Sequence, residues 1–334
     1  MSDIWTNYFS FFAKVATVVL GFLVVLIGMA VLTRKKRRDE GRIELKNLGD
    51  HYKKIKEGLQ REIFSKDELK AESKKDKEKA KEEKGSKESK PRLFVLHFDG
   101  DMRAQAVCSL REEVSALLSV VSSKDEVFLR LESPGGIVPG YGLAAGQLKR
   151  IRDRNIPLTI SVDKVAASGG YMMACQGNKI LAAPFAILGS IGVLAQIPNF
   201  NRLLKKNNID FEQITGGEFK RTLTMFGENT EKGREKFQEE VDSTHKLFKN
   251  FVTEARPQLD MAKVATGEHW YGSQALELKL VDAIQTSDDY LLERYETHDI
   301  YELKFEEESK GFGKKLSEIL SRKVSDFFYP GIWS

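Results

Sequence analysis

The longest apolar pattern in the chain runs from Val15 to Leu32, 18 residues without a charge (VATVVLGFLVVLIGMAVL). Phe11, Phe12 and Thr33 bring it close to the ~20 residues that a helix needs to cross a bilayer. Trp5, Tyr8 and Phe9 precede it, where interfacial aromatics belong, and the basic block Arg34-Lys35-Lys36-Arg37-Arg38 follows it. A cleaved leader carries its charge before the apolar run and a small-residue cleavage site after it. The order here is inverted, so residues 1–38 are read as a permanent anchor: one N-terminal transmembrane helix with a basic flank. The unbroken basic block argues against a buried core helix. The positive-inside rule places that block, and the chain after it, in the cytoplasm.

Beyond the anchor, residues 39–90 predict a charged spacer, part helical and part disordered. Leu45, Leu48, Tyr52, Ile55 and Leu59 recur at spacings of 3 and 4 within 43–63. This short heptad-like stripe suits a neighbouring subunit or the flank of a folded domain, although Gly49 and Gly58 weaken it as a helix. Residues 66–90 are almost free of apolar side chains and cannot bury enough surface to fold. Pro91 ends them.

From Arg92 the texture changes. Strand-like LFVLHF (93–98), VFLRLE (127–132) and PLTISV (157–162) alternate with helix-like segments near 106–121 and 139–154. A short helix is expected after Ser168. Short strands are expected at 178–182 and 191–195, and a strand-like stretch at 210–214. A long amphipathic helix is expected from Glu231 to about Arg256, with Phe237, Val241, Phe248 and Val252 on one side. This repetition predicts an α/β domain over 91–300, a parallel sheet covered by helices. In the tail 301–334, the segment 313–328 carries Leu316, Ile319, Leu320, Val324, Phe327 and Phe328 at helical spacing. It suits packing on the domain, or contact with a partner subunit or the membrane surface.

Charge and composition narrow the function classes. The chain has 334 residues, 41% of them hydrophobic, and a net charge of +4. The basic excess lies between Arg34 and Lys90, beside the apolar run, where anionic headgroups attract it. Residues 91–334 are mildly acidic, which argues against a nucleic-acid surface. Cys108 and Cys175 make no disulfide framework and are read as buried thiols. The five histidines are scattered without ligand spacing, so no metal site is expected.

Two segments carry candidate chemistry. Ser133-Pro134-Gly135-Gly136 directly follows the strand 127–132, at the end of a parallel strand where open α/β sheets place their sites. Its backbone N–H groups are suited to holding an oxyanion, although Pro-Gly-Gly is in most proteins only a turn. Asp163-Lys164-Val165-Ala166-Ala167-Ser168-Gly169-Gly170-Tyr171 follows the strand 157–162. Here one serine sits among small residues at a strand-to-helix junction, at the positive end of the helix, with the Gly169 N–H beside it. Ala166 distinguishes the motif from the Gly-x-Ser-x-Gly elbow. A plain helix cap is the alternative reading of Ser168. A serine nucleophile needs a base. His97 and His245 fall inside a strand and a helix, and His269 alone has a loop context. Lys220, in Thr215-Gly216-Gly217-Glu218-Phe219-Lys220, is the better candidate. A lysine acts as a base near neutrality only when burial lowers its pKa, and Phe219 with neighbouring segments would supply that burial.

Ser-Pro-Gly-Gly, Ala-Ser-Gly-Gly-Tyr, Gly-Ser-Ile-Gly (189–192) and Phe-Lys before a long helix occur here in the order found in the signal peptide peptidase A family of serine proteases, peptidase family S49. The chain resembles its SohB branch in Lys-Arg-Thr-Leu-Thr (220–224), Gly-Glu-Asn-Thr (227–230) and Ala-Thr-Gly-Glu-His-Trp-Tyr-Gly (265–272). The resemblance covers roughly 91–290. It implies a ClpP/crotonase-like spiral of ββα units, with Ser168 as nucleophile and Lys220 as base. It also implies Ser190 as the residue orienting that lysine, and an oxyanion hole from Gly135 or Gly136 with Gly169. Implied substrates are signal peptides or membrane-protein fragments, bound extended along a strand edge. Implied partners are the lipid bilayer of a bacterial inner membrane and further copies of the chain, with no cofactor, no metal and no nucleic acid. Members of that family are drawn with the site facing the periplasm, opposite to the side that the basic block indicates. The competing readings are a catalytically silent membrane scaffold and a crotonase-type acyl-CoA enzyme. The presence of both Ser168 and Lys220 argues against the first. The second leaves Lys220 and the anchor unexplained.

Overall fold

The computed structural model describes residues 9–22, 41–74 and 90–307. The chain divides into two compact units, one of residues 43–306 and one of residues 1–42 with 307–334. In the second unit, residues 9–22 are helical and exposed. Among the described residues no helix is long and apolar enough to cross a membrane. The rest of the expected anchor, residues 1–8 and 23–38, lies outside the described residues, as does the expected helix at 313–328.

In chain order the elements are β1 (Gly41–Asn47), α1 (Leu48–Ile63), β2 (Arg92–Asp99), α2 (Val107–Val120), β3 (Glu126–Glu132), α3 (Val138–Arg152), β4 (Leu158–Val162), β5 (Val165–Ala167), α4 (Gly169–Ala174), β6 (Lys179–Ala182), β7 (Ile187–Gly189), α5 (Asn201–Lys206), α6 (Glu231–Ala255), α7 (Met261–Val264), β8 (His269–Tyr271), α8 (Gly272–Glu277), β9 (Ala283–Ile284), α9 (Ser287–Arg294) and β10 (Asp299–Glu307). The fold is mixed α/β. A seven-stranded sheet has the order β1-β10-β2-β3-β4-β6-β9, and a small three-stranded sheet has the order β5-β7-β8. From β10 to β9 every pairing in the large sheet is parallel.

The strand pattern explains why helices cover both faces. Alternate residues of a strand point to opposite sides, and in β2 and β3 both sets are apolar. Phe94, Leu96 and Phe98 join Val127, Leu129 and Leu131 under α2 and α3, in the main core. Leu93, Val95 and Phe128 face the other way, against Tyr290 and Leu291 of α9, with Leu48 and Tyr52 of α1 at the margin. Strands buried on both faces belong to parallel sheets.

Several expectations change. The stripe over 43–63 is split: Leu45 falls in β1, and the Asn47 side chain accepts the Asp50 N–H at 3.1 Å to start α1. Residues 66–74 of the expected spacer are helical, with Glu72 3.8 Å from Lys56 of α1. The strand expected at 191–195 is instead β7, ending at Gly189. Gly189 and Ser190 both take positive φ (92° and 51°), which turns the chain out of the sheet. Residues 210–214 form no strand. β10 crosses the boundary drawn at residue 300. Cys175 is buried as expected, and burial pushes its thiol up to about 12, but Cys108 is exposed.

One buried carboxyl couples this packing to pH. Glu113 of α2 is 4% exposed. Its Oε1 accepts the Phe305 N–H of β10 at 2.9 Å, while its Oε2 has no hydrogen-bond partner among the described residues. Burial pushes the carboxyl up to about 7 from an ordinary 4.5. The folded state therefore holds this proton more tightly than the unfolded state does. The resulting stability is complete below the unfolded value and is lost as pH rises through the folded one, an upper bound of about 3 kcal/mol. Urea unfolding at pH 5 and pH 8 is expected to show the loss in the wild type, and Glu113→Gln is expected to flatten the difference. An equally steep difference in Glu113→Gln would assign it to other groups.

Candidate active site

The site is built where β3 and β5 end side by side. Ser133 N–H donates to the Val165 carbonyl at 2.8 Å, and Ala167 N–H donates to the Ser133 carbonyl at 3.0 Å. These bonds carry Ser-Pro-Gly-Gly alongside Ala-Ser-Gly. Gly135 stands at φ 90°, and a Cβ there would fall 2.7 Å from the Ala167 carbonyl oxygen and from Ser168 Cβ, and 2.8 Å from the Gly169 nitrogen. Only glycine brings the two backbones this close.

Ser168 turns the chain from β5 into α4. Its φ of 53° and ψ of −117° are strained for a residue with a Cβ. Backbone bonds hold it there: its N–H donates to the Gly189 carbonyl at 2.8 Å, and its carbonyl accepts the Met172 N–H at 3.0 Å. The half-buried side chain does not cap the helix, so the alternative reading of this serine is not realised. Strain of this kind costs on the order of 1–3 kcal/mol and collects at functional sites.

The three glycines differ in what their N–H groups do. Gly135 N–H donates to Ser133 Oγ at 3.1 Å. The N–H groups of Gly136 and Gly169 have no acceptor among the described residues. Gly136 precedes the Ile137 N–H bond to the Met102 carbonyl, 2.9 Å, and Gly169 opens α4.

Ser190 is brought beside Ser168, because the Gly189 carbonyl that accepts the Ser168 N–H belongs to the preceding residue. Ser190 N–H donates to the Glu268 carbonyl at 2.7 Å, and His245 Nε2 lies 3.1 Å from the Ile191 carbonyl. His269 lies opposite Gly189 in the β7–β8 pairing and is exposed. Among the described residues no cluster of His, Cys, Asp or Glu is placed to hold a metal ion.

Lys220 is the exception to the burial expected of the site. It sits in a turn, with its N–H on the Gly217 carbonyl at 3.2 Å, and its side chain is exposed. Phe219 does not shield it. That ring is itself exposed and meets the ammonium groups of Lys232 and Lys236 at 5.7 and 5.4 Å. The geometry thus gathers Ser168, Ser190, Gly135, Gly136 and Gly169, and within the single chain leaves Lys220 in an exposed segment. Sequence reasoning missed the buried Ser133 hydroxyl and Tyr141, which bond to each other at 2.6 Å beneath these loops.

A hydroxyl left unspent on a strained turn, with unspent N–H donors in the two loops that meet there, is the apparatus of a serine hydrolase. Comparison with known proteins narrows that class. The family model "Peptidase family S49 N-terminal" matches residues 3–148, and "Peptidase family S49" matches residues 150–300. "Probable protease SohB" of Haemophilus influenzae is 47% identical over 334 residues, 95% of this chain and 94% of that protein. "Probable protease SohB" of Buchnera aphidicola is 52% identical over 299 residues, 90% of this chain and 89% of that one. The chain belongs to peptidase family S49 and is a serine peptidase. Among solved structures, a mutant of the 1510-N membrane-bound stomatin-specific protease in complex with a substrate peptide aligns with a TM-score of 0.45 at 12% identity, over 70% of this chain and all (100%) of that one.

Proposed function

We propose that this serine peptidase is a membrane-anchored endopeptidase that works through a Ser168–Lys220 dyad and an acyl-enzyme. The observation that carries the reading is the backbone of Ser168, held at φ 53° with its Oγ uncommitted, where Gly135 packs against Ser168 and the Gly169 nitrogen. Ser168 Oγ attacks the scissile carbonyl and passes its proton to Lys220 Nζ. The carbonyl oxygen, now negative, is taken by the N–H groups of Gly136 and Gly169. The C–N bond breaks and the leaving amine takes the proton from Lys220. Water then repeats the sequence on the ester and frees Ser168. Ser190 orients the lysine. The strands form the ββα spiral of the ClpP/crotonase type. Substrates are signal peptides or membrane-protein fragments lying extended along a strand edge, and the apolar run before the basic block is the anchor.

Lys220 has to lose water to serve as a base. A second copy of the chain is the cover that we propose. Around Lys220 the segments 194–226 expose large apolar side chains, among them Leu194, Leu203, Phe211 and Ile214, the last 96% exposed. Large apolar side chains exposed together in one segment suit an association site. The experiment that tests the reading is labelling with a fluorophosphonate, followed by mass spectrometry of the digested protein. An adduct on Ser168 is expected; an adduct on another serine with Ser168 unmodified would overturn it.

A further inference from the structure

One side chain touches both loops that meet at Ser168. Tyr141 lies in the first turn of α3 and is fully buried. Its ring lies against Gly169, where a Cβ would fall 2.4 Å from Tyr141 Cγ. Its phenol donates to the Asp101 carbonyl at 2.8 Å and lies 2.6 Å from Ser133 Oγ. A phenol has one proton. With that proton on Asp101, the Ser133 hydroxyl must donate to Tyr141. Ser133 Oγ in turn accepts the Gly135 N–H at 3.1 Å.

The result is a chain of bonds with one direction, from Gly135 N–H through Ser133 Oγ–H and Tyr141 Oη–H to the Asp101 carbonyl. Buried chains of this kind polarise and rigidify their members. Burial pushes the Tyr141 phenol up to about 12, so it keeps its proton through the working range. The far end is anchored as well. The Asp101 carboxylate accepts the N–H groups of Arg103 and Gln105 at 3.2 and 2.8 Å, and the neighbouring Met102 carbonyl accepts the Ile137 N–H at 2.9 Å. The peptide of Gly136 is therefore clamped from both sides, through Ser133 before it and Ile137 after it.

We propose that Tyr141 is the positioning residue of the oxyanion site, aiming the Gly136 N–H through Ser133 and the Gly169 N–H through its ring. The inference rests on the reading of Ser168 as nucleophile with those two donors. Oxyanion donors act only within a few tenths of an ångström of their aim, so a loosened clamp lowers the chemical step and leaves substrate binding unchanged.

The test uses the full chain as wild type, Tyr141→Phe, Ser133→Ala and the double variant. Active sites are counted by the end-point of fluorophosphonate labelling. The labelling rate is measured separately, and kcat and KM are measured on a fluorogenic peptide amide. All four proteins are expected to label to the same end-point. In each single variant the labelling rate and kcat are expected to fall about tenfold or more, with KM within about twofold. The double variant is expected to be no slower than the slower single, because both changes cut the same chain of bonds.

A kcat in Tyr141→Phe within about twofold of the wild type would overturn the inference. So would a reduced end-point with normal turnover per labelled site, which is the signature of a purely structural role. Multiplying losses in the double variant would overturn it too. If Tyr141→Phe fails to fold, Ser133→Ala, which deletes one buried oxygen, carries the same expectations alone. Labelling that persists in Ser168→Ala would instead remove the reading beneath the inference, and the inference with it.

Discussion

Ser168→Ala is expected to reduce peptide hydrolysis by at least ~10⁴-fold, to the residue of catalysis that binding and an oxyanion site supply without a nucleophile. Alanine keeps the Cβ, so it keeps the strain at φ 53° and the contact with Gly135, and the thermal midpoint is expected to stay within a few degrees of the wild type. Ser168→Gly separates the two roles of the position. Glycine accepts this backbone without strain, so it is expected to be equally inactive but more stable, by about 1 kcal/mol. Hydrolysis and denaturation measured on the three proteins check both halves. Activity in Ser168→Ala within tenfold of the wild type would remove Ser168 from the chemistry. Equal stability of the alanine and glycine variants would mean that the turn holds no strain.

That contrast also shows where reading the chain alone stopped. The central strands were legible because burial on both faces leaves a continuous apolar run, as in LFVLHF at 93–98. The loops were legible as motifs because clustered glycines and small residues stand out along the chain, although the contacts those glycines answer lie far off in sequence: Gly135 meets Ala167 and Ser168, Gly136 meets Met102, and Gly169 meets Tyr141. What had no local signal was a backbone state imposed from elsewhere. Nothing in IGVLA marks it as non-strand; Ser190 at φ 51° and its bond to Glu268 take it out of the sheet. The three-residue strands β5, β7 and β8 are too short for periodicity to register. Tyr141 reads as an ordinary core aromatic in a helix, and its role depends on Asp101, 40 residues earlier. Lys220 is the converse case: a motif marks it, while the single chain supplies none of the burial that its chemistry needs.

Lys220→Ala is therefore expected to lower kcat by about 10³-fold, the scale of removing a general base from a hydroxyl nucleophile. The loss should appear in kcat with KM little changed, because in the proposed dyad the amine acts on the proton of Ser168 and not on the bound peptide. Lys220→Arg is expected to be no better, since a guanidinium keeps its charge and cannot accept that proton. Neither change should disturb folding: the side chain is exposed, and no hydrogen bond or ion pair of its amine is found among the described residues. Exposed positions of this kind move stability by about 0.5 kcal/mol or less. The exposure makes a second demand on the wild type. If the apolar segments 194–226 close over the amine only when copies associate, activity per chain must rise with protein concentration and level off as assembly completes. Lys220→Ala would assemble at the same concentrations and stay inactive at all of them. Sedimentation and initial rates, measured over one dilution series for the wild type and both variants, test the two demands together. Retention of more than about a tenth of wild-type kcat in Lys220→Ala would rule out the lysine as base. Full activity per chain in dilute monomer would rule out association as what completes the site.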